Sequence, residues 1–191
     1  IHLPGIYIAY PSCAADAKGL LKMACRMDDP VIFMEHKGLY RQGYAATEEP
    51  DADYLLSFGK GKKVLEGDEL TVITWGAMVQ KSLEAIQSLE IPNQSVEVID
   101  LRTLNPLDVD LIKTSITKTS KALVVHEDNI TSGPGAEIAA IIADKFFELL
   151  DGPVRRVGAK DSPVPFNWII EEEILPQTVD IANAIQELLE Y

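Results

Sequence analysis

Cysteine is almost missing from this chain: Cys13 and Cys25 are the only two among 191 residues. No histidine or further cysteine stands beside either, so a zinc set is not expected, and two reduced core thiols are. Basic charge is scarce as well. Seventeen Lys and Arg face thirty Asp and Glu, for a net charge of -13. That balance argues against nonspecific nucleic-acid binding, whose affinity comes from cations neutralising phosphates. Attraction to a Lys/Arg-rich protein module would instead be favourable. No apolar run approaches the ~20 residues that span a bilayer, and no signal or transit peptide is visible. The chain begins at Ile1 rather than Met, which leaves room for a longer parent. No Ser-His-Asp or Cys-His set, phosphate-loop pattern or complete dinucleotide fingerprint is present.

What is present is a globular composition, 47% hydrophobic, too apolar for disorder. The pattern is organised around residues 69–108. A β-rich run over 69–75 breaks at Gly76. A helix follows, with Val79, Leu83 and Ile86 on one face, and Pro92 and Asn93 stop it. A second β-rich run covers 96–101. Strand, long connection, strand is the pattern of a parallel crossover. Further strands are expected at 63–66, 121–127 and 154–158, and helices at 109–118, from 136, at 170–175 and after Thr178, read as a cap. Residues 103–108 read as a loop. Upstream, residues 6–10 read as a strand, 14–26 as a helix capped by Ser12 with Asp16 at its positive end, and 31–34 as a strand. Residues 1–35 are too small to bury a sheet alone, so they read as the tail of a larger domain or as packed on a partner. Residues 36–58 lose periodicity and read as a linker. Residues 59–191 form the second domain. The fold class is α/β, with a mostly parallel sheet flanked by helices.

Several residues carry candidate chemistry. His126 and Glu127 sit at the carboxyl end of an expected parallel strand, the edge where ligand groups gather in open α/β sheets. His126 reads as an acid/base group, an interface contact or a solvated strand end. Glu35 and His36, with Tyr40 and Arg41, suit a polar ligand, an ion-pair interface or a solvated connection. Gly133-Pro134-Gly135 reads as a strand-to-helix turn or, more loosely, an anion site. Asp28-Asp29 reads as a helix stop, because adjacent carboxylates do not face one another.

Longer stretches carry a family likeness. They are His2-Leu3-Pro4-Gly5, Asp16-Ala17-Lys18-Gly19-Leu20-Leu21, Pro30-Val31-Ile32-Phe33-Met34-Glu35-His36 and Thr74-Trp75-Gly76-Ala77-Met78-Val79. Val98-Ile99-Asp100-Leu101-Arg102-Thr103-Leu104, Val125-His126-Glu127, Gly135-Ala136-Glu137-Ile138 and Pro163-Val164-Pro165-Phe166 complete the set. Together they resemble the C-terminal half of the β subunit of thiamin-diphosphate-dependent 2-oxo acid dehydrogenases, in the transketolase superfamily. The resemblance implies that residues 1–35 end a pyrimidine-binding domain and that 59–191 are a transketolase C-terminal domain. It implies thiamin diphosphate and Mg2+ in the complete enzyme, with their ligands and the catalytic residues outside this chain. It also implies a monovalent cation such as K+ near Ala24, Met27 and Asp29, although the family's usual acidic residue there is replaced by Met27. The implied partners are an α half or subunit, a second copy in a dimer, and the acyltransferase core, met through Tyr191. Neither nucleic acid nor membrane is implied. Gln42-Gly43-Tyr44-Ala45 and Asp51-Ala52-Asp53-Tyr54 look closer to branched-chain enzymes than to pyruvate ones. The expected compartment is the bacterial cytoplasm, or the mitochondrial matrix in a eukaryote. The alternatives are a non-catalytic protein-binding module and a fragment of another transketolase-superfamily enzyme.

Overall fold

The computed structural model describes residues 1–92 and 94–191, so Asn93, expected to help stop a helix, lies outside the described residues. The chain opens with β1 (Tyr7–Ala9), α1 (Ala14–Ala24) and β2 (Val31–Phe33). Two 3-10 turns, Lys37–Leu39 and Gly43–Ala45, lie in the connection that follows. Then come β3 (Lys62–Leu65), β4 (Leu70–Thr74), α2 (Ala77–Ser88), β5 (Val96–Asp100), β6 (Thr103–Asn105) and α3 (Val109–Thr119). The chain ends with β7 (Ala122–Asn129), α4 (Pro134–Lys145), β8 (Arg155–Ala159), α5 (Trp168–Ile174) and α6 (Thr178–Leu189).

The larger sheet has the order β3-β5-β4-β7-β8, parallel except for the edge strand β3. Every residue of β4 and β5 is buried. That explains why they read as nearly continuous apolar runs: helices cover both faces of a parallel sheet. Leu70, Val72, Val98 and Leu123 pack beneath Met78 and Ala85 of α2 and Ile181, Ile185 and Leu188 of α6. Ile73, Ile99 and Val124 pack on the opposite side with Ile112 and Ile116 of α3 and Ile138 and Ile142 of α4. The α/β architecture with a mostly parallel, helix-flanked sheet is therefore as expected. The edge strand β3 carries Lys62 and Lys63, charges that discourage pairing with another chain.

A second, three-stranded sheet has the order β2-β1-β6, with β1 and β2 parallel and β6 antiparallel to β1. Here a sequence expectation fails. Residues 103–105 were to open a loop, and they form a strand, because β1 offers a free edge that only a distant segment can pair. Such long-range pairing leaves no local signature. Residues 1–35 are thus joined to the rest of the chain by backbone hydrogen bonds.

Arg102 holds that joint. It lies between β5 and β6 with φ of 58°, a conformation costly for a residue with a Cβ. Its amide donates to Asp100 Oδ1 at 2.9 Å, and its carbonyl accepts from the Tyr10 amide at 2.8 Å. Its guanidinium forks onto Asp16 of α1, with Nε–Oδ2 at 2.8 Å and Nη2–Oδ1 at 2.7 Å. Asp16 is 2% exposed. It does stand in the first turn of α1, as the dipole reading requires, but its main partner is this buried cation.

Other local expectations are corrected. Ser12 does not cap α1; its hydroxyl donates to Asp100 Oδ2 at 2.5 Å, and the N-cap is Cys13. Neither thiol is in the core: Cys13 is half-buried and Cys25 exposed, since they flank the two ends of α1. The cap of α6 is Gln177, not Thr178, and the Gln177 amide donates to the Asp180 carboxylate at 2.8 Å. No such correction applies to the 36–58 connection, expected as a linker. It runs along α1, where Lys18 reaches Glu49 at 3.0 Å and Leu56 donates to the Gly19 carbonyl at 3.2 Å. A Cβ on Gly19 would lie 2.7 Å from the Tyr54 ring, so this mid-helix glycine allows the close approach.

Arg102→Met removes the cation and leaves Asp16 buried and uncompensated. The expected loss is about 3–5 kcal/mol of stability by urea denaturation. Adding Asp16→Asn should recover much of it.

Candidate functional site

The carboxyl ends of β4, β5 and β7 open at one edge, beside the small sheet. β7 places its side chains alternately, so His126 shares the face of Val124 under α4, and Glu127 points to the other side. The two neighbours therefore meet different surroundings.

His126 is fully buried, and neither ring nitrogen has a hydrogen-bond partner among the described residues. Its ring lies parallel to the Trp75 indole, with centroids 5.7 Å apart and planes 3° apart. Three glycines leave room for it. A Cβ on Gly135 would fall 2.3 Å from Nε2, and one on Gly133 or Gly158 would fall 3.0 Å from Cε1. The glycines of the 133–135 turn thus make space for an imidazole. Burial is the main force pushing the His126 pKa down, with Arg156 adding to it and Asp128 opposing. The N-terminal end of α4 nearby also favours the neutral ring.

Glu127 meets His36 from the long connection, with Nε2–Oε2 at 2.9 Å and both side chains about a fifth to a quarter exposed. That hydrogen bond is the chief reason the His36 pKa is raised. Burial, and then Glu127, push the Tyr10 phenol up to about 12. Gly76, with φ of 57°, receives the Tyr10 ring: a Cβ there would lie 3.0 Å from Cε2. Of the four candidate polar residues, then, the fold brings His36 and Glu127 together. His126 lies apart from them in the core, and Glu35 is exposed with its carboxylate on the Tyr40 hydroxyl at 2.5 Å.

Two cavities flank the His36–Glu127 pair. Glu127 lines the larger, about 780 Å³, with Tyr10, Met34, Trp75, Asp128 and Glu137 among its walls. His36 lines the smaller, about 550 Å³, under the first turn of α1 beside Cys13, Tyr40 and Arg41. The larger one has a size suited to a small ligand. Its charged walls are three carboxylates, and His2 is its sole basic group. A diphosphate would meet repulsion there. Among the described residues no cluster of three or more His, Cys, Asp or Glu side chains could hold a metal ion. The lining of the larger cavity does not fit thiamin diphosphate with its divalent ion.

The remaining candidates lie elsewhere. Near Ala24, Met27 and Asp29, the Ala24 carbonyl accepts from the Met27 amide at 3.2 Å. Tyr191 is exposed, its ring against Gly152 before β8, at the opposite end of the sheet from His36. No helix among the described residues is long and apolar enough to cross a membrane.

Sequence reasoning missed Asp100, although a carboxylate inside an apolar parallel strand was a signal. Asp100 is fully buried; burial lifts its pKa to about 6, against the hydrogen bonds from Ser12 and Arg102. Tyr10 and Trp75 were missed as cavity walls, because a strand-end aromatic reads simply as core.

Comparison with known proteins adds relatives. Residues 59–181 match the family described as Transketolase, C-terminal domain, and residues 1–42 match Transketolase, pyrimidine binding domain. A pyruvate dehydrogenase E1 component subunit beta from Staphylococcus aureus is 42% identical over 188 residues, which is 98% of this chain and 57% of that protein. Its namesake from Staphylococcus epidermidis is 41% identical over the same span. The chain thus spans 57% of the length of the curated relatives it matches. Among solved structures, a chain titled split gene transketolase, inactive beta4 tetramer, superposes with a TM-score of 0.77 at 26% identity, covering 99% of this chain and 59% of that one.

His126 sets an acid limit. Its folded pKa is lowered, so its contribution to stability is full above the unfolded histidine value of about 6.5 and is lost as pH falls below it. His36, raised, acts at higher pH, and Asp100 has the opposite sign. The wild type minus His126→Gln difference in unfolding free energy therefore isolates the effect. It should fall between pH 6.5 and 5.5 by at most about 1.4 kcal/mol per unit. A flat difference would show that the imidazole takes up its proton equally in both states.

Proposed function

This chain belongs to the transketolase family, and we propose that it is the C-terminal part of the β component of a thiamin-diphosphate-dependent 2-oxo acid dehydrogenase. The whole enzyme would decarboxylate a 2-oxo acid oxidatively and pass the acyl group to a lipoyl carrier. Residues 1–35 would close its pyrimidine-binding domain, 36–58 would link, and 59–191 would form the C-terminal domain. The observation that carries this is the carboxyl-edge cavity. It has the place of an active-site wall and the wrong charge to hold the coenzyme's diphosphate by itself. Likeness along 98% of the chain to pyruvate dehydrogenase E1 beta subunits supports it.

In that role the protein's residues shape and exclude, while thiamin diphosphate, when bound by the complete enzyme, supplies the carbanion chemistry. Tyr10, Trp75 and Met34 would make an apolar wall. The His36–Glu127 pair would fix the connection against β7. Mg2+ would be held with the diphosphate by an α half or subunit. A K+ ion near α1 would be held through backbone oxygens, with those of Ala24, Met27 and Asp29 nearest. The likeness of residues 42–45 and 51–54 to branched-chain enzymes points to one 2-oxo acid, and the names of the relatives point to pyruvate. The names rest on far more of the chain, so pyruvate is the better first substrate. A bacterial cytoplasmic location fits such a role. A transketolase piece is the second reading, favoured by the split gene transketolase likeness alone.

The purified 191-residue chain, given pyruvate, thiamin diphosphate and Mg2+, is expected to release no carbon dioxide above background. Turnover by the chain alone would refute the reading. Transfer of a two-carbon ketol unit from a ketose phosphate to an aldose phosphate by the assembled enzyme, without 2-oxo acid oxidation, would favour transketolase.

Docking to a basic module of the acyltransferase core through Tyr191 is part of the same proposal. Deleting the last few residues through Tyr191 should weaken binding to that module in titration calorimetry at low salt. Unchanged affinity would remove Tyr191 from the contact.

A further inference from the structure

Residues 163–170 form an apolar strap that the fold leaves uncovered. Phe166 is 106% exposed, as open as in an extended peptide, and Trp168 is 64% exposed. Val164, Ile169 and Ile170 follow the same pattern. Scattered exposed apolar residues are ordinary, but five exposed large apolar side chains within residues 164–170, two of them aromatic, are not.

The helix within this strap repeats the point. α5 has seven residues and no buried one. So short a helix gains too little from its own hydrogen bonds to stand unaided. Within the chain it is held by the Asn167 side chain, which accepts from the Ile169 amide at 2.9 Å, and by the Lys160 amide, which donates to the Ile174 carbonyl at 3.1 Å. Its outer face, with the indole, is largely open to solvent.

Charge says what kind of surface would cover it. Residues 161–191 contain seven carboxylate side chains and no Lys, Arg or His. Glu172, Glu173 and Asp180 are exposed beside the strap. The nearby cations are Lys160, Arg156, whose Nη1 donates to the Ile130 carbonyl at 2.6 Å, and Lys81, whose ammonium donates to the Pro176 carbonyl at 2.8 Å. A second copy facing this strap with its own would bring the same acidic field and be disfavoured there.

We infer that the 163–170 strap, with Phe166 and Trp168 as anchors, is the face covered by the enzyme's other chain, through an apolar pocket rimmed by Lys and Arg. This rests on the 2-oxo acid dehydrogenase reading, in which that other chain is the α component. Buried aromatic anchors carry most of the affinity of such contacts, and rim charges mainly speed association and make it salt-dependent.

The test titrates the α component of the same enzyme with the full-length β protein, as wild type and as Phe166→Ser/Trp168→Ser. Circular dichroism and melting confirm the fold, since neither side chain is buried. The double variant should bind the α component at least ~30-fold more weakly. Wild-type affinity should fall between 50 and 500 mM NaCl, taken as roughly the range over which surface charge is screened. Tyr191→Ala, at the far end of the sheet, should bind as wild type. Equal binding by the double variant overturns the inference and leaves the enzyme reading intact. Failure of wild type to bind the α component overturns both. A wild-type oligomer without α that becomes monomeric in the double variant assigns the strap to a second copy, and likewise overturns the inference.

Discussion

Arg102 stands where the large sheet hands the chain to the small one, and four hydrogen bonds meet on it, two from its backbone and two from its guanidinium. Without them β1 would lose the turn that carries its partner strand β6, and α1 would lose the cation facing its buried carboxylate. The left-handed backbone at this residue persists because the surroundings over-determine it. The arrangement puts two carboxylates, Asp16 and Asp100, near one guanidinium in a dry place. Asp16 takes the fork. Asp100 keeps a serine hydroxyl and one amide, and its raised pKa records that this is poor compensation for lost water.

The same seam places the groups at the carboxyl edge. Once β1 is fixed beside β6, Tyr10 lies over Gly76 and faces Glu127, and the connection after β2 delivers His36 to the same carboxylate. One strand, β7, thereby serves two unlike surroundings. Its inward imidazole is kept neutral by dryness, by Arg156 and by the dipole of α4, while its outward carboxylate raises the proton affinity of a second imidazole. The alternation of strand side chains is what exposes the two histidines around one strand end to opposite influences. The cavity there is apolar with acidic walls, which sets what it can receive: a neutral or cationic group, or a partner that brings its own positive charge.

Much of this was legible in the chain itself. Periodicity located the strands and helices of the large sheet, because burial on both faces requires continuous apolar runs in β4 and β5 and stripes in α4 and α6. The family likeness on the Val98 to Leu104 run was legible too. Capping was read less well. Ser12 and Thr178 have side chains suited to the task, yet Ser12 was drawn to Asp100, and Gln177 took the place next to Thr178. The glycines around residue 134 looked like a turn, and only their distances to His126 give their packing role.

What composition and pattern determined by themselves is the α/β class, the core, the acidic character and the membership in a known lineage. The first three depend on local periodicity and on sums of charge, and the lineage on the resemblance of whole stretches such as Val98 to Leu104 to a known family. Tertiary structure alone decided that residues 103–105 are a strand, that Asp16 pairs with Arg102, that His36 and not His126 meets Glu127, and that the 163–170 strap is left bare. Each of those depends on which distant groups share a small volume. That is a property of chain closure, and sequence spacing does not encode it.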